Sequence, residues 1–139
     1  MNQYQVNEVG LLPANAGKSK LKTNEQYAAI LYANLFQKGM SANQLYDISE
    51  CMQSIGDQQI AREVLISNFM NKSTVLIPSD SLMRADIGAF IDETYKRFLV
   101  RYPSEAERTY FINYITANPN VTAELVYFSF ALSDEYMFY

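Results

Sequence analysis

Apolar residues return along this chain at the three- and four-residue spacing of helices, and the pattern occurs twice. Tyr27, Ile30, Leu31, Leu35 and Phe36 form one stripe behind Thr23 and Gln26, a capping-box signal, and predict a helix over 25–38 ended by Gly39. Ser41 and Gln44 repeat the signal ahead of Leu45, Ile48, Met52 and Ile55, giving a second helix over 42–55 that Gly56 terminates. Asp57 caps a third, whose apolar face is expected to hold Ile60, Val64, Leu65, Ile66 and Phe69. The polar run 71–74 closes the unit.

Val75, Leu76 and Ile77 are too few for an independent strand and read as an apolar connector pressed against the core, with Pro78 to Ser81 turning into the next helix start. A second stripe then carries Ile87, Phe90, Ile91, Tyr95, Phe98 and Leu99. Tyr102-Pro103 interrupts it, because proline disfavours helical geometry in the residue before it. Ser104 and Glu107 form the clearest capping box of the chain, ahead of Tyr110, Phe111, Tyr114 and Ile115. Asn118-Pro119 predicts the start of a last helix over 119–132, apolar nearly all round and so expected to be central.

The two stretches overlay. Tyr32 meets Tyr95, Leu35 meets Phe98, Ser41 meets Ser104 and Gln44 meets Glu107; after a two-residue shortening, Glu63 meets Glu124 and Phe69 meets Phe130. The fold class expected is all-α: about six helices as two pseudo-repeated three-helix units forming one compact domain, since each short unit leaves an apolar face for its neighbour to cover. The units are 25–72 and 82–139 within a single domain over 25–139. Residues 1–24, rich in Asn, Gln, Gly and Lys, read as a flexible tether.

Composition narrows the function classes. The 139 residues are 49% hydrophobic and 14% aromatic, enough for a packed core. With 11 basic and 15 acidic residues the net charge is -4, which opposes binding to a phosphate backbone, so no nucleic-acid partner is expected. No apolar run reaches the roughly 20 residues needed to span a bilayer. If Met1 stands where an export signal was removed, the chain is the mature part of a bacterial periplasmic or envelope protein; otherwise it is cytoplasmic.

Histidine is absent, which removes the commonest proton-transfer side chain and metal ligand, and the single Cys51 sits in a helical pattern that predicts a buried, inert thiol. Neither a Gly-rich phosphate loop, a Gly-x-Ser-x-Gly elbow nor a metal-ligand cluster occurs, so no catalytic residue, cofactor or metal is assigned and the expectation is a non-enzyme. Asn71-Lys72-Ser73 and Asn120-Val121-Thr122 match the glycosylation pattern by chance.

Three groups remain as candidate sites. Tyr95, Lys96, Arg97, Arg101, Tyr102 and Arg108 form the densest basic and aromatic group and could grip an acidic partner. The competing reading is a solvated salt-bridge face, with Asp92 to Lys96 and Glu93 to Arg97 at i,i+4 and Glu105 and Glu107 beside them. Among eleven tyrosines, the terminal aromatics Tyr4, Tyr136, Phe138 and Tyr139 are those whose burial is least assured, and so the ones expected to touch a protein partner. Glu63 and Glu124 stand at matching points of the repeat and could line a groove between the units that takes a small ligand or metal.

The segment Glu93 to Arg108, with its Arg101-Tyr102-Pro103-Ser104-x-x-Glu107 turn, together with Ser133-Asp134-Glu135-Tyr136 near the end, resembles the C-terminal helical domain of planctomycete-type proteins that accompany cytochrome-c-like domains. It is more weakly similar to phycobilisome-linker-type helical domains, which share the Tyr-Arg start and the terminal Ser-x-Glu-Tyr. The resemblance implies a helical accessory or assembly domain with a protein partner. It implies no electron transfer, since the haem-attachment signature Cys-x-x-Cys-His is missing.

Overall fold

A computed structural model describes residues 18–139. Among them lie seven helices: α1 (Asn24–Phe36), α2 (Ala42–Ser54), α3 (Gln58–Met70), α4 (Asp80–Ala85), α5 (Ile87–Leu99), α6 (Glu105–Ala117) and α7 (Ala123–Ala131). A 3-10 turn, Glu135–Met137, follows α7. An isolated antiparallel bridge pairs Leu21 with Phe138. The fold is all-α.

The duplication is visible at the level of individual backbone groups. Thr23 and Asp86 cap α1 and α5, and Ser41 and Ser104 close full capping boxes with Gln44 and Glu107 at α2 and α6. Each such hydroxyl or carboxylate accepts from an N–H that the helix start leaves without a partner. Burial repeats in the same register. Tyr27, Ala28, Leu31, Tyr32, Leu35 and Phe36 are the buried residues of α1, and their counterparts Phe90, Ile91, Thr94, Tyr95, Phe98 and Leu99 are all buried in α5. In both copies the first helix ends on a left-handed residue, Gln37 (φ 58°) and Val100 (φ 56°). Gly39 therefore does not end α1: the turn falls two residues earlier, on a side chain that bears the steric cost of that conformation.

By contact the described chain gathers into two units, one of residues 78–123 and one of residues 18–77 with 124–139. In the larger unit, Tyr32, Phe36 and Phe69 form an aromatic cluster, with Tyr32 and Phe36 stacked at 4.4 Å and Phe69 edge-on to both. The connector 75–77 joins this unit through its backbone, the Leu76 N–H donating to the Leu35 carbonyl at 2.7 Å near the end of α1. Its side chains are not pressed into the core as expected: Leu76 is half exposed and none of the three is buried. On α3 the buried side is Ala61, Leu65, Ile66, Phe69 and Met70, whereas Ile60 and Val64, expected on the core face, are half exposed. The side of Ala61, 1% exposed, turns inward in place of that of Ile60.

In the unit of residues 78–123, the helical stripe from Leu82 onward breaks at Asp86, whose carboxylate caps α5. Arg84 was not singled out by any sequence pattern, yet its guanidinium donates to the carbonyls of Ile115 (2.8 Å), Asn118 (3.0 Å) and Val121 (2.8 Å). It thereby satisfies acceptors at the C-terminal end of α6, where a cation is favoured by the helix dipole. Asn118 is the C-cap of α6 and not the start of the last helix. The start lies at Ala123, whose N–H donates to the Asp80 carboxylate at 2.8 Å, so the cap comes from a residue distant in sequence. The expected all-round apolar burial of that helix is also incomplete, since Leu125 is half exposed.

Candidate functional site

The basic group from Tyr95 to Arg108 is held by the end of α5 and the start of α6. Arg101 is buried, only 4% exposed. Its Nη1 and Nη2 donate to the two Glu107 oxygens at 2.9 and 3.0 Å, and its Nη1 also donates to the Tyr102 carbonyl. The guanidinium carbon lies 5.1 Å from the ring centre of Tyr95, which is buried too. The same Glu107 carboxylate accepts from the Ser104 N–H at 2.8 Å, so one side chain closes the capping box and neutralises the arginine. The Arg101 hydrogen bond, aided by Ser104 and against the opposing effect of burial, holds the Glu107 carboxyl down at about 2.

The neighbouring charges are used locally as well. Arg108 Nε donates to Asp92 at 3.0 Å, and Lys96 pairs with Glu93 one helical turn away, which raises the Lys96 pKa. The i,i+4 pairs expected from spacing are thus replaced, because Asp92 faces α6 and meets Arg108 there. Arg97 is half-buried on α5, and Tyr102 stays exposed with Lys96 5.6 Å from its ring centre. Structure brings Tyr95, Arg101 and Tyr102 together through Arg101, as an internally paired cluster.

The terminal aromatics divide in the same way. Tyr4 lies outside the described residues. Tyr136 is 1% exposed, the opposite of the weak burial expected near a chain end. Its hydroxyl accepts from Asn34 Nδ2 at 2.7 Å, its ring meets Tyr27 edge-on at 5.7 Å, and Lys22 Nζ sits 3.8 Å from its centre while donating to its carbonyl. Backbone bonds pair Lys20 with Tyr139 in both directions and join the Lys22 N–H to the Met137 carbonyl. Lys18 adds an ion pair with Glu135. Phe138 is half-buried in this clasp, and Tyr139 is partly exposed, its hydroxyl accepting from Gln26. Burial raises the pKa of Tyr27 and Tyr136, and together with repulsion from Lys18 pushes Lys22 down to about 8. These residues are core and clasp, which no local pattern near the chain end announces.

Glu63 is half-buried and accepts from Gln59 at 3.1 Å, whereas Glu124 is exposed in the first turn of α7. No group of three His, Cys, Asp or Glu residues among those described is placed to hold a metal ion. Cys51 is exposed, contrary to the buried thiol expected, because α2 turns Ser49 and Met52 inward instead. No described helix is long and apolar enough to cross a membrane.

What the basic cluster lacks, α6 supplies. Tyr110 and Tyr114 are 60% and 44% exposed, with rings stacked at 6.0 Å and 12° apart, and Phe111 meets Tyr110 edge-on at 5.3 Å. From Thr109 to Asn118 the chain carries no charge. Tyr110, Phe111, Tyr114 and Ile115 follow the capping box at helical spacing, yet in α6 only Ile115 is buried. The signal available was the charge-free run itself. No family model, curated protein or solved structure matches this chain.

Proposed function

We propose that this chain is a non-enzymatic helical interaction module, an accessory component of a bacterial envelope or other multiprotein assembly, and that α6 presents its contact surface. The exposed, mutually stacked pair Tyr110 and Tyr114 on an uncharged helical stretch supports this reading. Aromatic rings with a polar tip bring large apolar area to an interface at little cost in side-chain freedom, and interface centres are depleted in charge. The ionisable groups from Asp92 to Arg108, by contrast, are largely committed to pairs within the chain. The resemblance of residues 93–108 to helical assembly domains points the same way.

The test is a pull-down from host extracts with the full chain and with Tyr110→Ser/Tyr114→Ser, both checked for helicity by circular dichroism. A protein retained by the first and released by the second is the expected result. Equal retention by both, or retention by neither, refutes the reading. Shortening the chain at residue 133 is unsuitable as a probe, because it removes the buried Tyr136.

A further inference from the structure

A small notch of about 180 Å³ lies between the first residues of α1 and one face of α2. Tyr46, Ser49, Glu50 and Gln53 recur at i, i+3, i+4 and i+7 on α2, and all four line it, with Glu25 from α1 opposite. Tyr46, Glu50 and Gln53 are exposed and Ser49 alone is buried, so the notch opens to solvent and its lining is polar and acidic. Neither Glu25 nor Glu50 has a cationic partner among the described residues. Ser49 is 9% exposed, and its buried hydroxyl has no hydrogen-bond partner, a condition that ordinarily costs stability unless something else supplies the bond.

The second copy of the repeat shows what fills the corresponding place. There Gly88 stands where Glu25 stands in the first copy, and it is buried beneath Arg108: a Cβ at Gly88 would collide with that guanidinium. Arg108, on α6, is in turn neutralised by Asp92 of α5. The first copy has Leu45 in place of Arg108 and Ala29 in place of Asp92, and no lysine or arginine lines the notch. It has instead added carboxylates at Glu25 and Glu50, where the second copy has Gly88 and Asn113.

We infer that the notch is a binding site for a guanidinium group, an arginine side chain presented by a partner protein. The planar fork of a guanidinium can donate to both carboxylates and to the Ser49 hydroxyl, while its flat face lies on the exposed Tyr46 ring, as Arg101 lies on Tyr95 elsewhere in this chain. Where the guanidinium comes from rests on the interaction-module reading; the existence of the site does not.

The test is a titration of the isotope-labelled full chain with N-acetyl-L-arginine amide at low salt, followed by amide NMR. Saturable shifts at residues 24–25 and 46–53, with a Kd on the order of millimolar, are expected, with about tenfold weaker binding in Glu25→Gln/Glu50→Gln. Ser49→Ala should weaken binding about threefold while leaving helicity unchanged. Free L-arginine distinguishes the sources: tighter binding of the blocked residue marks a protein side chain, tighter binding of the free amino acid a small guanidino compound. No saturable shift, the same affinity in the double variant, or equal binding of N-acetyl-L-lysine amide overturns the inference. A failed titration with a Tyr110- and Tyr114-dependent pull-down would sink the notch alone, and the reverse combination would sink the module reading alone.

Discussion

Replacing Glu107 by Gln isolates the ion pair at the heart of the second repeat. The amide oxygen can still accept from the Ser104 N–H, as Gln44 does for Ser41 in the first repeat, so the cap survives. What is lost is the charge opposite Arg101, whose side chain is 5% exposed and whose two bonds to Glu107 are 2.9 and 3.0 Å long. Stranding a buried cation costs several kcal/mol in full burial, but the carboxylate side is 37% exposed and screened by water. The expected loss is therefore about 2 kcal/mol at pH 7, read as a lower urea midpoint with unchanged slope.

The pH dependence supplies a second check. Glu107 titrates at about 2 when folded against 4.5 as reference, so its contribution is complete above pH 4.5 and is lost as the pH falls through 2. The gap between wild type and variant should shrink to under about half by pH 3. Adding Arg101→Met to Glu107→Gln should recover most of the loss, because the stranded charge goes with it. A loss below about 0.5 kcal/mol at pH 7, or a loss equal at pH 7 and pH 3, refutes the argument.

Tyr136→Ala should destabilise by about 3–4 kcal/mol in urea unfolding, since a fully buried ring and its bond to Asn34 are removed. Gln37→Gly should raise stability by about 0.5–1 kcal/mol, because the exposed C-cap is left-handed and glycine adopts that conformation without strain; a lower midpoint would count against it. Because Lys22 is depressed to about 8 when folded, stability should rise as the pH climbs from 8 toward 10.5, and Lys22→Met should abolish that rise in thermal melts. Tyr27 and Tyr136, raised on folding, act in the opposite sense, contributing stability below pH 10 that is lost at higher pH.

Most of the helices and their duplication are legible in the sequence, because a helix start and its apolar stripe are set by local chemistry; the start of α7 is not. A capping box needs only residues three apart, and an apolar stripe only the helical period, so Ser41, Gln44, Ser104 and Glu107 announced two equivalent starts that the structure shows bond for bond. Local chemistry could not tell which side of a stripe turns inward. Ile60, Val64, Tyr110 and Tyr114 have the spacing of core residues and lie exposed, because the packing of the neighbouring helices decided which stripe was covered. Partners distant in sequence were equally illegible: Asp80 caps α7, Arg84 closes the end of α6, and the clasp of residues 20–22 with 137–139 buries Tyr136. The basic cluster was found by composition, but only tertiary structure could commit Arg101 to Glu107 and Arg108 to Asp92, since a charge is attracted by whatever the fold brings within reach.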